Sequence, residues 1–137
     1  MTGALLTAAK SGIDVRIVTP HIPDKWYVHA VSRAHYEVLT EAGVRIYEYT
    51  PGFIHSKVYL VDDRYAVVGS VNLDFRSLYL HFENAVYLFE ATCTAEIAED
   101  FHNTFPICEE ITWRKCRNTN LWQRLMQTAL RLLSPLM

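Results

Sequence analysis

Cysteine is scarce in this sequence, and its spacing excludes the two structures that cysteine usually builds. Cys93, Cys108 and Cys116 are odd in number and form no Cys-x-x-Cys pair. A disulfide framework needs an even set of cysteines, and a structural zinc site needs closely spaced cysteine and histidine ligands. The six histidines are scattered and contain no His-Glu-x-x-His motif. The sequence therefore predicts reduced thiols in a cytosolic setting and no metal site.

Long apolar runs and an excess of one charge are also missing. No run approaches the roughly 20 apolar residues that span a bilayer. A formal net charge of −2 gives the chain no overall attraction to nucleic acid, so no nucleic-acid partner is expected. What the chain does have is 50% hydrophobic residues in 137 positions. That proportion is enough for the core of one folded domain and too high for a disordered segment.

Hydrophobic periodicity predicts a single α/β domain. A helical tail at the start is followed by strand, helix and strand, and that order indicates a parallel βαβ unit. Asp24 is expected to cap the helix of this unit and Gly43 to end it. The broad apolar face of the last helix fits packing on its own domain or contact with a membrane interface. The predicted elements are helices at residues 1–11, 24–42, 91–105 and 121–133, and strands at 13–20, 44–50, 54–61, 65–72 and 83–90.

Residues 54–72 carry polar side chains in an otherwise apolar stretch. His55 and Lys57 are two residues apart in an extended run, so their side chains project to one face. If Asp63 and Arg64 form the turn of a hairpin, this run pairs with the one that follows. The predicted cross-strand pairs are Tyr65 with Asp62, Ser70 with Lys57, and Asn72 with His55.

This hairpin predicts an imidazole, an ammonium, a hydroxyl and an amide that converge on one face. Fixed donors of this kind suit a phosphoryl group, because they meet the charge that develops in its transition state. The Asp62 side chain falls on the opposite face of the strand from His55 and Lys57, so it is expected to support the turn or orient the strand. The alternative is surface decoration of a strand, which is the usual meaning of one histidine and one lysine alone.

The same residues resemble a known family. HSKVYLVD and GSVN, at residues 55–62 and 69–72, are similar in residue type and spacing to the HxKx4D and GSxN motifs of the phospholipase D superfamily. The longer stretch 51–83 looks like the second of two such motifs in bacterial cardiolipin synthases. The resemblance implies a phospholipase D-like layered sandwich, with a mixed sheet flanked by helices, as one domain over residues 1–137. It also implies an N-terminally truncated second catalytic half of a larger membrane enzyme.

The resemblance also implies a role for each motif residue. One histidine of such a site attacks phosphorus while a second protonates the leaving group, so a chain with one motif resembles half of an active site. His55 takes either of these two roles, and no metal or organic cofactor is required. By this resemblance the catalytic residues are His55, Lys57 and Asp62, the substrate phosphate lies on Ser70 and Asn72, and Glu83 orients the histidine.

The activity implied by this resemblance is phosphatidyl transfer between two phosphatidylglycerol molecules, which forms cardiolipin and releases glycerol. The expected partners are phosphatidylglycerol, the N-terminal catalytic half, the membrane surface and, for the isolated soluble fragment, a second copy in a homodimer. The expected location of the full-length protein is the bacterial cytoplasmic membrane, with the catalytic domain on the cytoplasmic side. Two alternatives stay open: a phosphodiesterase acting as phospholipase or nuclease, and a non-catalytic domain that binds lipid or a partner. The isolated chain is expected to be inactive.

Several residues outside the motif have ordinary interpretations. Gly69 indicates a close backbone approach within a strand. Asp74 and Arg76 are expected to be structural, as a local ion pair, with contact to a head group as the alternative. Phe53 either packs in the core or lines the substrate entrance. The basic cluster at 114–117 is interpreted as a solvated loop, with contact to anionic lipid as the alternative. The remaining histidines have no chemistry-bearing neighbours in sequence and are interpreted as core or surface residues: His21, His29, His35, His81 and His102.

Overall fold

The fold is taken from a computed structural model, which describes residues 1–118 together with Met126 and Ala129. Apart from these two residues, the helix predicted at 121–133 lies outside the described residues. In chain order the elements are α1 (Thr2–Lys10), β1 (Arg16–Pro20), α2 (Trp26–Ala34), α3 (Tyr36–Glu41), β2 (Arg45–Tyr49), β3 (Lys57–Val61), β4 (Tyr65–Gly69), α4 (Phe75–Tyr79), β5 (Ala85–Phe89), α5 (Thr92–Thr104), a 3-10 turn (Phe105–Ile107), β6 (Cys108–Ile111) and α6 (Trp113–Arg117).

The first sheet is mixed, with strand order β1-β2-β6. β1 and β2 run parallel, from the Arg16–Arg45 pair to the Pro20–Tyr49 pair, and α2 and α3 form the crossover between them. β6 then pairs antiparallel with β2. The predicted βαβ unit and the predicted mixed sheet flanked by helices are both confirmed. One consequence matters for the site, because the carboxyl ends of β1 and β2 lie at the same edge of the sheet.

The crossover differs from its prediction in two details. The expected single helix is divided at His35, whose backbone N–H donates to the Ser32 carbonyl, three residues back, and so tightens the turn there. The predicted N-cap, Asp24, is wrong as well, because α2 starts at Trp26, one residue too late for Asp24 to cap it. Lys25 occupies the N-cap position, and no side chain bonds to the helix end there.

The buried core lies between the mixed sheet and the helices. Gly43 has a φ of 100°, a conformation that glycine adopts without steric cost, and it ends α3 so that the chain can enter β2. Alternate residues of β2 then meet the helical layer. The core cluster consists of Tyr36, Leu39, Val44, Ile46 and Ile111, with Leu5, Leu6, Ala9, Val15, Ile17 and Cys116 packed against it.

The second sheet is the antiparallel set β3-β4-β5, which confirms the hairpin but corrects its register. Tyr65 pairs with Val61 instead of Asp62, and Lys57 pairs with Gly69 instead of Ser70. Neither Asn72 nor His55 belongs to a strand.

The turn explains this shift of one residue. Asp62 and Asp63 both have a φ of 53°, the left-handed region that aspartate tolerates better than most residues. They form the tight turn together, and the Arg64 N–H closes it on the Val61 carbonyl at 3.1 Å. The loop between the two strands therefore has three residues, with Arg64 as the third, instead of the predicted two. Its carbonyl accepts from the Glu90 N–H at 2.8 Å, and its guanidinium pairs with the Glu90 carboxylate.

The close approach expected at Gly69 is confirmed. A Cβ atom built on this residue would lie 2.2 Å from the Asn84 carbonyl oxygen and 2.6 Å from the Ala85 Cα. Both are backbone atoms, so they cannot move aside as a side chain can. Glycine at this position therefore allows β5 to approach the end of β4, and Glu83 reaches Ser70 just beyond it.

Besides the 3-10 turn, three short elements were not predicted: α4, β6 and α6. They have four or five residues each, too few for a periodic pattern to emerge. α4 has a local cause, because the Asp74 carboxylate caps it. α6 occupies the position interpreted as a solvated loop, and the Thr112 hydroxyl caps that helix. No helix within residues 1–118 combines the length and the apolar character needed to cross a bilayer.

Candidate active site

His55 and Lys57 are joined through the backbone of the motif. His55 lies exposed in the segment between β2 and β3, and Lys57 is the first residue of β3. The Lys57 ammonium folds back and donates to the His55 carbonyl oxygen at 2.6 Å. The exposed ring of Phe53 stacks on the imidazole, with 5.8 Å between the ring centroids. This stacking places Phe53 at the surface of the site and excludes the core position.

Burial and charge act on Lys57 in opposite directions. Burial lowers the pKa of its ammonium, while the negative charges of Glu83, Asp24 and Asp74 partly restore it. Asp24, one of these charges, belongs to the loop after β1. Because burial penalises an unpaired charge, this ammonium favours a close anionic partner, and a phosphate would compete with these carboxylates for it.

Ser70 connects the end of β4 to Glu83. Its hydroxyl donates to the Glu83 carboxylate at 2.5 Å and accepts from the Asn84 N–H at 3.0 Å. The Ser70 N–H in turn donates to the Asn84 carbonyl at 2.9 Å. These bonds fix the hydroxyl beside the carboxylate, although Ser70 lies outside the strand ladder that was predicted to position it.

Asn72 is held from the other side by Ser77. The Asn72 amide donates to the Ser77 hydroxyl at 3.3 Å, and the Ser77 N–H donates to Asp74 at 2.7 Å as part of the α4 cap. The Tyr59 hydroxyl donates to the Val71 carbonyl at 2.7 Å and so anchors the same segment to β3. Asp74 is thus structural, as predicted. Ser77 was missed, and the Asp-x-x-Ser spacing that builds a helix cap was the available signal.

Glu83 is the carboxylate at which these bonds meet. Hydrogen bonds from Ser70 and Ser77 lower its pKa, and the nearby His81 and Lys57 lower it further. Glu83 is therefore an acceptor for hydroxyl and cationic groups. Within residues 1–118 its carboxylate has no hydrogen bond to the His55 ring, so its orienting role stays a prediction.

Asp62 lies apart from this cluster. It is a turn residue at the far end of β3, five residues from Lys57, and a strand of that length spans roughly 16 Å. The structure places Asp62 in the turn, one of its two predicted roles, and does not bring it to the predicted phosphate-binding residues Ser70 and Asn72. The residues that the fold does bring together are Lys57, Ser70, Asn72, Ser77 and Glu83, beside the backbone of His55.

A second polar cluster surrounds Glu48, which sequence reasoning did not identify. The Glu48 side chain is 0% exposed, and Arg33 clamps it with two bonds of 2.8 and 2.7 Å. His21 makes the third contact, from Nδ1 to the same carboxylate at 2.9 Å. Burial alone would raise the pKa of Glu48, but the bonds from Arg33 and His21 outweigh burial and lower it. His21 is thus a partner of a buried charge.

The composition of this cluster does not fit a metal ion. Ligand atoms of His21, Glu48 and Glu109 lie within 4.8 Å of one another. However, Arg33 already neutralises Glu48, and Lys115 pairs with Glu109. Two cations beside two carboxylates leave no net negative charge to attract a divalent ion.

Comparison with known proteins places these observations in a family. The family model described as cardiolipin synthase, PLD-like domain, matches residues 1–105. A protein of Streptococcus mutans serotype c, described as uncharacterized, is 42% identical over 137 residues, which is 100% of this chain and 30% of the relative. A cardiolipin synthase of Halalkalibacterium halodurans is 42% identical over 134 residues, 98% of this chain and 27% of the relative. Cardiolipin synthase 2 of Bacillus anthracis is 40% identical over 134 residues, 98% of this chain and 26% of the relative.

The fold likeness extends to a solved structure. The phospholipase D family member Nuc from Salmonella typhimurium superposes with a TM-score of 0.69, and the match covers 81% of this chain and 72% of that chain. At 20% identity this likeness concerns the fold alone, and it confirms the expected phospholipase D-like fold. The chain spans less than a third of the length of each of the three sequence relatives above. It belongs to the cardiolipin synthase family of phospholipase D-like domains.

Proposed function

We propose that this chain supplies one half of the active site of a phosphatidyltransferase, which joins two phosphatidylglycerol molecules into cardiolipin and releases glycerol. The observation that carries the proposal is the convergence of Lys57, Ser70, Asn72 and Glu83 beside the backbone of His55. The names of the relatives from Halalkalibacterium halodurans and Bacillus anthracis support the choice of cardiolipin synthesis within the family.

The reaction divides into two displacements at phosphorus. In the first, an imidazole nitrogen forms a bond to phosphorus while the bond to the glycerol oxygen breaks, and an acid on the opposite side protonates that oxygen. In the second, the hydroxyl of another phosphatidylglycerol attacks the phosphohistidine, loses its proton to the same acid–base group and releases the imidazole. His55 takes one of these two positions.

The remaining side chains of the cluster stabilise the phosphoryl group. Lys57 supplies positive charge, and the Ser70 hydroxyl and Asn72 amide supply hydrogen bonds to the nonbridging oxygens. Ser70 must then turn away from Glu83, its partner in this structure. Glu83, freed in this way, is the acceptor that orients the imidazole. Asp62 contributes by fixing the turn of the hairpin.

A second half is required because one histidine cannot stand on both sides of phosphorus. The sequence contains one HxKx4D motif. The surface next to the site also suits a partner, since Tyr79, Leu80 and Phe82 are all exposed just before Glu83. Large apolar side chains clustered on a surface are typical of an interaction site. The proposed partner is the N-terminal catalytic half of the same polypeptide.

The proposed location is the cytoplasmic side of the bacterial cytoplasmic membrane. Phosphatidylglycerol is a bilayer lipid, so the site must work at a membrane surface. The odd number of cysteines, with no Cys-x-x-Cys pair, is typical of a reducing compartment. The basic residues of α6 are a candidate contact with anionic lipid.

Product analysis tests the reaction directly. The chain would be combined with a half that carries the other motif, and radiolabelled phosphatidylglycerol in vesicles would be added. We expect labelled cardiolipin and free glycerol. Phosphatidic acid without cardiolipin would identify a phosphodiesterase instead. Lipid binding without any product would favour the non-catalytic alternative and contradict the proposal.

A further inference from the structure

The buried Glu48 cluster gives His21 an unusual role for a surface residue. Glu48 is the charged member of the buried set within residues 1–118, and its three bonds come from Arg33 and His21. An ionised carboxylate can only accept hydrogen bonds, so the proton of the pair lies on His21 Nδ1. In the neutral ring Nε2 is then a hydrogen-bond acceptor. The His21 side chain is 43% exposed, and Nε2 lies across the ring from the nitrogen that contacts the buried carboxylate.

His21 also lies at the sheet edge where β1 and β2 end and where the segment that leads to His55 begins. It directly follows β1, and its backbone N–H donates to the carbonyl of Tyr49, the last residue of β2, at 3.3 Å. The segment from Tyr49 leads within six residues to His55. Asp24, three residues after His21, acts electrostatically on Lys57. In α/β domains ligands bind at the carboxyl ends of parallel strands.

We propose that His21, oriented by Glu48, binds a hydroxyl of the acceptor alcohol beside the phosphoryl pocket. The inference rests on the proposed function and names the substrate class of this subsite, a polyhydroxy alcohol such as the glycerol group of phosphatidylglycerol. The role is one of binding and specificity: Nε2 accepts a hydrogen bond from the hydroxyl, and no covalent bond changes at His21.

The surroundings of His21 favour a neutral hydroxyl over a charged ligand. One ring nitrogen of His21 and carboxylate oxygens of Glu48 and Glu109 lie within 4.8 Å of one another, so these carboxylates oppose an anion at this ring. Arg33 and Lys115, which pair with those carboxylates, repel a cation. An acceptor nitrogen in a balanced field suits an uncharged donor. A site that hydrogen-bonds a substrate hydroxyl also discriminates against molecules that lack it.

In the test, the chain would be isotopically labelled at its histidines and titrated with two soluble phosphodiesters. Glycerophosphoglycerol carries the phosphate and hydroxyls of the lipid head group, whereas diethyl phosphate has the phosphate alone. Nuclear magnetic resonance would follow the rings of His21 and His55 in the 137-residue chain during titration. We expect both rings to shift with glycerophosphoglycerol at one common dissociation constant, and the His55 ring alone to shift with diethyl phosphate.

Variants separate binding from scaffolding. His21→Gln should weaken glycerophosphoglycerol binding roughly threefold to tenfold, the effect of one hydrogen bond, and leave diethyl phosphate binding unchanged. His29→Gln is the matched control. The His29 ring contacts the Pro20 carbonyl of the same loop, and this variant should bind both probes as the parent does. Melting temperatures would confirm folding, with His21→Asn as a second variant.

Each contrary result has a separate meaning. A shift of His55 without His21 would overturn this inference and leave the proposed function standing. Equal weakening of both probes by His21→Gln would mean that the residue only holds the loop, which also overturns it. No shift of either ring up to the solubility limit of the probes would contradict the inference and the proposed function together.

Discussion

Lys57 is half-buried beside three carboxylates, and the state of its ammonium depends on the balance between them. Burial lowers its pKa from 10.5, and the charges of Glu83, Asp24 and Asp74 raise it again. Because burial is the larger effect, the pKa is lower on balance. A bound phosphate brings further negative charge close to the lysine and raises the pKa. Phosphate binding and protonation of Lys57 therefore favour each other.

Truncation of His55 or Lys57 tests the chemistry at the same scale. We expect His55→Ala and Lys57→Ala, each combined with the other catalytic half, to lose turnover by about a hundredfold to ten-thousandfold or more. Neither side chain belongs to the buried core, so the melting temperature should change little. Lys10→Ala, in α1, is the control and should retain full turnover. Near-normal turnover of a folded His55→Ala protein would exclude its catalytic role.

At Glu48 burial is the weaker influence, because the hydrogen-bonding partners lower the pKa by more than burial raises it. Arg33 and His21 lower its pKa below the ordinary value of 4.5. A carboxyl group whose pKa is lower in the folded state stabilises the fold above its unfolded pKa. That contribution disappears as the pH falls through the folded pKa.

Glu48→Gln tests this buried charge through stability. We expect a loss of about 2–3 kcal/mol at neutral pH, less than the roughly 3–5 kcal/mol of a fully buried pair, because Arg33 is half exposed and returns to water. The difference from the parent should shrink as the pH falls below about 4.5. Urea unfolding at several pH values measures both effects. Glu41→Gln, an exposed position, is the control, and an unchanged difference at low pH would contradict the assignment.

At the scale of elements, the hairpin shows what the sequence could and could not predict. Alternation and the charged turn located both strands, but the observed strands, Lys57–Val61 and Tyr65–Gly69, are each three residues shorter than predicted. They could not reveal that two left-handed aspartates would form the turn and leave Arg64 as an extra residue, because Glu90, which holds Arg64, is distant in sequence. Ser70 nevertheless lies beside Glu83, since its position is fixed by Glu83 and Asn84 and not by the strand register.

Gly69→Ala tests the contact between β4 and β5. The added methyl group would meet the backbone of Asn84 and Ala85, so the strands must separate. We expect a destabilisation of at least about 1–3 kcal/mol, the usual result of overpacking. Gly52→Ala is the control, because no atom lies within 4 Å of its added Cβ. Equal stability of the two variants, measured by urea unfolding, would contradict this account of Gly69.

At the scale of the whole molecule, the chain joins a βαβ sheet to an antiparallel hairpin sheet. The two parallel strands of the first sheet and their crossover helix were predictable, because their apolar residues recur at the spacing typical of strands and helices. β6 was not, because the four residues of Cys108–Ile111 contain two glutamates and show no apolar alternation. The candidate site follows from a motif of local spacing, whereas the Glu48 cluster depends on contacts between elements far apart in sequence.

The central claim is that this chain holds half of a phosphoryl-transfer site, and one measurement tests it most directly. Light scattering would identify a strictly monomeric sample, and the same sample would be assayed for cardiolipin with radiolabelled phosphatidylglycerol, alone and after addition of the other catalytic half. We expect negligible cardiolipin from the monomer, because the sequence contains one HxKx4D motif and one histidine cannot stand on both sides of phosphorus, and clear synthesis once the second half is present. Robust cardiolipin formation by the monomer alone would contradict the half-site.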